Sequence, residues 1–147
     1  MVRYTDMFTE LVRVEIELWN GLDDHLSSTV GVTLPQFQAL AAVRLKSGTA
    51  RVQDLSAEMF ITVGATSKVV DRLERDGFAV RSAHPSDRRS SLITLTQRGS
   101  NALAAADLAA EAHLRDVLGT TLPDDNVSGL LSILTSLRAN ERMRVAQ

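Results

Sequence analysis

Apolar residues recur at helical spacing from the beginning of the chain. The first stripe predicts one long helix from Tyr4 to about Ser28. Its apolar positions are Phe8, Leu11, Val12, Leu18, Trp19, Leu22 and Leu26. After a break at Gly31, the stretch Thr33-Leu34-Pro35-Gln36 has the spacing of a capping box and a proline suited to a first helical turn. A second helix is therefore predicted from this point, with a buried side formed by Phe37, Leu40, Ala41 and Val43 to Leu45.

The apolar pattern then predicts two short helices separated by a turn. Ser47-Gly48-Thr49 ends the second helix, and Arg51 to Met59 forms a third helix with Val52, Leu55 and Met59 facing inward. Thr62 caps a fourth helix, which ends at Gly77 because glycine tolerates a left-handed conformation. The apolar positions of the fourth helix are Val63, Val69, Val70 and Leu73. The two helices form a helix-turn-helix pair, and the second is the candidate recognition helix.

A hairpin with a basic tip follows the fourth helix. Phe78 to Arg81 and Leu92 to Leu95 alternate apolar and polar side chains, and the segment between them contains the turn sequence Pro-Ser-Asp. Arg88 and Arg89 lie at the tip. A polar, basic helix followed by a cationic hairpin offers one element for a major groove and one for the adjacent minor groove. The alternative is an ordinary solvated loop, since exposed arginines are common on protein surfaces.

Two further helices are predicted after the hairpin. Thr96 is predicted to cap an alanine-rich helix that runs to about Leu118. The segment from Gly119 to Pro123 is predicted to separate it from a last helix. The last helix has one apolar stripe, made of Val127, Leu130, Leu131, Leu134 and Leu137, and the polar segment 138–147 is expected to fray. The first and last helices carry more apolar surface than a small core needs, which favours a two-fold homodimer. The alternative is that these stripes pack only against each other within one chain.

Composition limits the class of protein. The length of 147 residues fits one domain, and the absence of cysteine excludes disulfides, thiolate metal sites and thiol redox sensing. The net charge is −2, but residues 33–100 hold 10 basic and 6 acidic side chains, so the positive excess lies on the helix-turn-helix and hairpin. No apolar run approaches a membrane span and the N-terminus lacks the apolar core of a signal peptide, so we expect a cytoplasmic protein without a membrane partner.

A combination of motifs resembles a known family. The motifs are Asp71-Arg72-Leu73-Glu74, Gly77-Phe78, and Asp87-Arg88-Arg89 followed by Ile93, Leu95-Thr96 and Gly99. Together they resemble the winged helix-turn-helix signature of the MarR family of transcriptional regulators, and the likeness extends over nearly the whole chain. The resemblance implies a mainly α fold with a small β-hairpin wing (α+β) in a single domain, 1–147. Within it, 33–100 would be the DNA-binding core, and 4–32 and 101–138 the dimerisation helices.

Two elements contain the candidate DNA-binding residues. At the start of the recognition helix, small and hydroxyl side chains let the backbone approach DNA, although they are also compatible with ordinary polar surface. These residues are Gly64, Ala65, Thr66, Ser67 and Lys68. In the wing, the resemblance implies that Arg89 enters the minor groove with Asp87 holding its guanidinium, while Arg88 faces phosphate or packs back on the wing. Arg72 either contacts DNA or braces the wing through an ion pair, and Arg81 is a further phosphate or base candidate.

The resemblance also implies a small-molecule effector, because members of the family often release DNA on binding a small aromatic or anionic compound. By helix order, the candidate pocket residues are Trp19, Leu22, His25, Phe37 and Met59. The alternative is that they are simply core residues. The three histidines lack metal-ligand spacing and no catalytic arrangement is evident, so we expect no metal, no cofactor and no enzymatic activity.

The sequence thus predicts a homodimeric regulator of transcription that binds double-stranded DNA. Its operator is expected to be an inverted repeat with half-sites roughly 34 Å apart. A ligand-responsive repressor is the expected role, although the sequence also fits an activator. The alternative function is a winged-helix protein-interaction module that has lost operator binding.

Overall fold

The fold is mainly helical, with six helices and a three-stranded antiparallel sheet in the part of the chain that is described. The computed structural model describes residues 1–87 and 89–145, with side chains up to residue 140. The helices are α1 Tyr4–Thr29, α2 Leu34–Leu45, α3 Val52–Met59, α4 Val63–Arg75, α5 Gln97–Leu118 and α6 Asp124–Val145. The strands are β1 Thr49–Arg51, β2 Ala79–Ala83 and β3 Ser91–Leu95. The predicted fold class is confirmed.

The helix starts follow from the predicted caps. Thr33 and Gln36 form a capping box, in which the Thr33 hydroxyl accepts from Gln36 N–H at 3.3 Å and Gln36 Oε1 accepts from Thr33 N–H at 3.0 Å. The Thr96 hydroxyl accepts from Gly99 N–H at 2.9 Å at the start of α5. At α6, Pro123 lies just before the helix rather than inside it, and its carbonyl accepts from Asn126 N–H at 2.8 Å.

The sheet differs from the predicted hairpin by one strand. β1 was predicted as a helix end and a helix start, but its three residues pair antiparallel with β3, so the strand order is β1-β3-β2. Ala50 of β1 faces Ile93, which also pairs with Arg81 of β2. A strand of three residues shows too little alternation to be recognised from sequence. The wing is therefore anchored to the start of α3, because β1 leads directly into that helix.

Aliphatic side chains from α2, α3, α4 and the sheet form one core. Its fully buried large members include Leu40, Val43, Leu55, Val70, Leu73 and Ile93. Leu45, predicted to face this core, is instead 73% exposed at the end of α2. Leu26 of α1 is fully buried, and Asp23 of α1 accepts a hydrogen bond from Leu34 N–H at 2.6 Å. The end of α1 is thereby fixed at the start of α2.

The chain divides into two compact units, Met1–Glu111 and Ala112–Gln147. The first contains the core, the sheet and α1 to α4, together with the first two thirds of α5. The second contains the rest of α5 and α6, joined by a turn in which Arg115 pairs with Asp124 at 3.1 Å. α6 continues to Val145, past the Arg138 at which fraying was predicted, and the last two residues lie outside the described part.

Candidate nucleic-acid interface

Helix α4 is held at both ends by local interactions. The Thr62 hydroxyl accepts a hydrogen bond from Ala65 N–H at 3.2 Å, and the Thr62 carbonyl accepts one from Thr66 N–H at 2.9 Å. At the other end, Gly77 adopts a φ of +75°, a conformation in which L side chains are strained. The apolar side of the helix packs into the core through Val69, Val70 and Leu73. The predicted cap and the predicted glycine stop are both confirmed.

The opposite side of α4 is open to solvent. Gly64, Lys68, Asp71 and Arg75 follow the spacing of a single line along a helix, and all four are exposed. Arg72 is exposed beside this line. Lys68 and Arg72 make no ion pair with any residue in the described part of the chain, so their charges are available to an anionic partner. This outward surface is the one that a recognition helix would present to a major groove.

Thr66 was predicted to contact DNA, and its position contradicts that role. Its side chain is completely buried, and its hydroxyl donates a hydrogen bond to the Thr62 carbonyl at 2.9 Å. Thr66 lies three, four and seven residues before Val69, Val70 and Leu73, so the helical period places it on the buried side. That spacing was visible in the sequence. Ser67 is half-buried, and Ala65 is exposed next to the outward line.

The wing is a short, regular hairpin closed by backbone hydrogen bonds. His84 N–H donates to the Ser90 carbonyl at 3.1 Å, and Ser90 N–H donates to the Asp87 carbonyl at 3.0 Å. Asp87 was predicted to hold the Arg89 guanidinium, but its carboxylate instead accepts from the Arg89 backbone N–H at 3.0 Å. Asp87 therefore shapes the turn and leaves the Arg89 side chain exposed. Arg88, the other predicted tip arginine, lies outside the described residues.

Arg81 connects the wing to α4. Its Nη2 donates to Asp71 Oδ1 at 2.7 Å, and its Nε donates to Glu74 Oε2 at 3.1 Å. The two carboxylates are three residues apart on α4, and the Arg81 side chain between them is only 29% exposed. We call this three-residue arrangement the Arg81 clamp. It gives the guanidinium an internal role in place of the predicted phosphate or base contact, and the predicted brace uses Asp71 but not Arg72.

The base of the wing contacts α5 through backbone. A Cβ placed on Gly99 would lie 1.8 Å from the Phe78 carbonyl oxygen, so only glycine fits at this position. Next to it, the Thr96 hydroxyl donates to the Gly77 carbonyl at 2.7 Å, and Thr96 N–H donates to the Phe78 carbonyl at 3.0 Å. The Arg98 guanidinium lies over the Phe78 ring, 5.4 Å from its centre. Gly99 was recognised in the sequence only as part of a motif, and this contact was not predicted.

The buried side-chain amide of Gln36 connects the start of α2 to the end of α4. Gln36 is 3% exposed, and its Nε2 donates to Asp76 Oδ2 at 2.8 Å across 40 positions of sequence. Arg75 also donates to Asp76, at 2.9 Å. The hydrogen bond from Arg75 lowers the pKa of the Asp76 carboxyl below its ordinary value, partial burial opposes the shift, and the bond from Gln36 adds to it. The end of α4 is thus fixed to the start of α2.

The five predicted pocket residues do not share one environment. Trp19 is 36% exposed and His25 is half-buried, whereas Leu22 is buried and both Phe37 and Met59 pack against the core. A groove of about 580 Å³ on the same unit involves none of them. It lies between the end of α2, β1, β3 and α5, and its lining includes Arg44, Thr49, Thr94, Ser100 and Leu103. The assignment of an effector pocket stays a prediction.

The described residues contain neither a metal-ligand cluster nor a membrane-spanning helix. No cluster of three or more histidine, cysteine, aspartate or glutamate side chains that could hold a metal ion occurs among them. Within the same residues, no helix combines the length and apolar character needed to cross a membrane.

Comparison with protein families and curated proteins gives one consistent result. Residues 30–90 match the model of the MarR family. An uncharacterized HTH-type transcriptional regulator of Bacillus subtilis strain 168, YfiV, is 30% identical over 96 residues, which is 65% of this chain and 54% of that protein. The multiple antibiotic resistance protein MarR of Escherichia coli K12 is 26% identical over 136 residues, covering 88% of this chain and 94% of that protein. The chain thus spans about half the length of YfiV and nearly all of the Escherichia coli protein.

Solved structures show the same fold. A cysteine-to-serine mutant of Escherichia coli MarR, crystallised in complex with operator DNA, superposes with a TM-score of 0.79 at 23% identity and covers 90% of this chain and 93% of that chain. CouR from Rhodococcus jostii RHA1, crystallised with p-coumaroyl-CoA, superposes with a TM-score of 0.77 at 23% identity and covers 90% of this chain and 91% of that chain.

Proposed function

We propose that the chain binds double-stranded operator DNA as a homodimer and regulates transcription. The proposal starts from its membership of the MarR family of winged-helix transcriptional regulators. Membership of this family makes it a binding protein and not an enzyme. The observation that carries the proposal is the exposed side of α4, where Lys68 and Arg72 have no ion-pair partner in the described part of the chain, next to a wing that leaves Arg89 exposed. An exposed helix with free cations suits a major groove, and a cationic hairpin suits the neighbouring minor groove.

The residues divide by role. Lys68 and Arg72 would contact bases or phosphates from the major groove, and Gly64, Ala65 and Ser67 would let the helix approach the base edges. Arg89, and Arg88 beside it, would reach the minor groove or its phosphates. Arg81 would act as a positioning residue, because its guanidinium is already bound to two carboxylates of α4.

Exposed apolar side chains support dimerisation. On α1, Phe8 is 63% exposed and Ile16 is 50% exposed, and on α6 Leu131 is 62% exposed and Ile133 is 60% exposed. Repeated exposed apolar residues on a helix usually mark an interface, and a two-fold dimer is the commonest arrangement. Segments 4–32 and 101–138 would form it around the winged core, 33–100. Packing of the two stripes within one chain is the competing explanation.

The oligomeric state tests this part of the proposal. We expect Leu131→Glu to convert the dimer to monomer in sedimentation equilibrium, because a charge cannot be buried without a partner. Leu45→Glu is the matched control, since Leu45 is 73% exposed on α2, away from the proposed interface. A monomeric wild-type chain, or a dimer that survives Leu131→Glu as well as it survives Leu45→Glu, would exclude this interface.

The operator would be an inverted repeat with half-sites roughly 34 Å apart, one for each recognition helix of the dimer. A ligand-responsive repressor is the role we propose. The response to a ligand is supported by the neighbour CouR, which was crystallised bound to p-coumaroyl-CoA. Trp19, Leu22, His25, Phe37 and Met59 remain the candidate contacts for a small aromatic or anionic effector. The second candidate function is a protein-interaction module without operator binding, and the exposed cations at Lys68 and Arg89 favour DNA over it.

An electrophoretic mobility-shift assay separates the two functions. Duplex DNA from the region upstream of the protein's own gene is expected to bind, and Arg89→Ala should weaken binding by at least about fivefold, the lower end for an arginine contact to DNA. Arg44→Ala is the matched control: Arg44 is an exposed arginine of α2, 3.9 Å from Asp107. Equal affinities of the two variants would remove the role of Arg89, and absence of binding at low salt would favour the interaction module.

A further inference from the structure

Gly64 occupies the most exposed line of α4 without a reason inside the chain for being glycine. Its φ is not positive, and a Cβ at this position would meet nothing within 4 Å. Gly77 and Gly99 differ from it, since the first needs a left-handed conformation and the second has no room for a side chain. Glycine inside a helix destabilises it relative to alanine, because the glycine backbone loses more conformational entropy on folding. The missing side chain at Gly64 is therefore explained by something outside the chain.

The surroundings of Gly64 are apolar. Val63, one of the apolar positions of the predicted fourth helix, is 48% exposed at the start of α4. Ala65 is exposed on the other side, and Lys68 is exposed one turn further along. The N–H groups of Ala65 and Thr66 are already bonded to Thr62. Gly64 thus leaves open space on the helix surface between the exposed aliphatic residues Val63 and Ala65, and we call this space the Gly64 notch.

We propose that the Gly64 notch receives the C5-methyl group of a thymine and thereby selects a T·A pair at one position of each operator half-site. The inference rests on the proposed function, and it names a specificity-determining residue within that interface. In the major groove, the thymine methyl is the apolar group among the base-edge features, whereas the others are hydrogen-bond donors and acceptors. A notch with aliphatic sides suits the methyl group, and a Cβ at position 64 would fill the space that the methyl needs.

The first test uses the wild-type protein alone. A duplex of about three helical turns is selected by the protein from a random-sequence pool, and each thymine of one half-site is then replaced by uracil, which lacks only the methyl group. We expect one replacement to weaken binding by about fourfold, the effect of exposing one buried methyl-sized group. The other replacements should change affinity by less than about twofold.

The second test changes the notch. Gly64→Ala should raise the Tm, because alanine stabilises a helix where its side chain has open space. The same variant should bind the thymine duplex roughly tenfold more weakly, because two methyl groups would compete for one space. Uracil at the sensitive position should restore most of the lost affinity. A duplex of scrambled sequence serves as the control, and its affinity for the variant should equal its affinity for the wild type, since phosphate contacts are retained.

Each other result overturns the inference. A selected half-site without a sensitive thymine excludes the methyl contact, and so does a Gly64→Ala variant that binds as the wild type does. A loss of affinity that uracil does not restore places the clash elsewhere. If Gly64→Ala fails to fold, the uracil scan on the wild type decides the question by itself. Failure to select any duplex overturns the proposed function as well, whereas specific binding without a methyl effect overturns this inference alone.

Discussion

Replacing Arg81 by methionine tests whether the Arg81 clamp positions the wing. The substitution keeps a long unbranched side chain but removes both bonds of the guanidinium, at 2.7 Å to Asp71 and 3.1 Å to Glu74. The Asp71 side chain is 66% exposed and the Glu74 side chain is 36% exposed, so each ion pair is largely screened by water. At roughly 0.2–1 kcal/mol for each exposed pair, we expect a loss of about 0.5–2 kcal/mol in the free energy of unfolding.

Replacing Arg81 should weaken DNA binding even though its guanidinium does not contact DNA. Without the clamp, the wing is no longer held against α4, so the Arg89 contribution is lost together with the clamp. We expect the affinity for the operator to fall by about 5- to 30-fold, or about 1–2 kcal/mol. In an Arg89→Ala background, where the Arg89 cation is already absent, Arg81→Met should leave the slope of log affinity against log salt unchanged, because Arg81 neutralises no phosphate. A direct phosphate contact would instead reduce that slope by about 1.

A double-mutant cycle measured by fluorescence anisotropy separates positioning from contact. If Arg81 acts through the wing, Arg81→Met should cost much less affinity in an Arg89→Ala background than in the wild type. Arg44→Met serves as the matched control, since it removes an exposed arginine outside the proposed interface and should leave both affinity and coupling unchanged. Costs that add within about 0.5 kcal/mol would refute the positioning role, and so would a salt slope that falls by about 1 when Arg81→Met is added to Arg89→Ala.

Two further predictions concern stability. Gly99→Ala should lower the free energy of unfolding by about 1–3 kcal/mol, because the new Cβ would lie 1.8 Å from the Phe78 carbonyl oxygen and force the backbone apart. Thermal unfolding at fixed protein concentration checks this, and an unchanged Tm would contradict the close approach. Asp76→Asn should remove a pH dependence. The folded-state pKa of Asp76 is depressed mainly by Arg75, so its stabilising contribution is complete above the unfolded value of about 3.9 and disappears as pH falls through the lower folded value. Urea midpoints from about pH 3 to pH 7 should therefore show a gap between wild type and variant that closes at the acid end, and a constant gap would count against it.

The helices were predictable because their signals are local. Thr33 with Gln36, and Thr62 with the following apolar period, state within one or two turns where a helix begins, and the structure has both caps. The helical period also places Thr66 correctly, but Thr66 was predicted to contact DNA because it lies in a segment of small and hydroxyl side chains. Residue type outweighed spacing in that prediction, and spacing was the better guide.

The interactions that connect elements were not predictable in the same way. The Gln36–Asp76 bond joins residues 40 positions apart, and the Arg81 clamp joins β2 to α4. A single sequence contains no signal for either, because such pairs form only after the helices and strands have packed. β1 was missed for a related reason: its pairing with β3 is nonlocal, and three residues are too few to show an alternating pattern.

The contact between Gly99 and the Phe78 carbonyl has a mechanical consequence. Where two backbones touch directly, no side chain between them can change its rotamer. A small rotation of the first turn of α5 therefore cannot be accommodated at the contact itself. The rotation must pass into β2 and, through the paired strands, into β1 and the helix that follows it. A rotation of the first turn of α5 would thus displace the base of the wing, because Gly99 and Phe78 touch through their backbones.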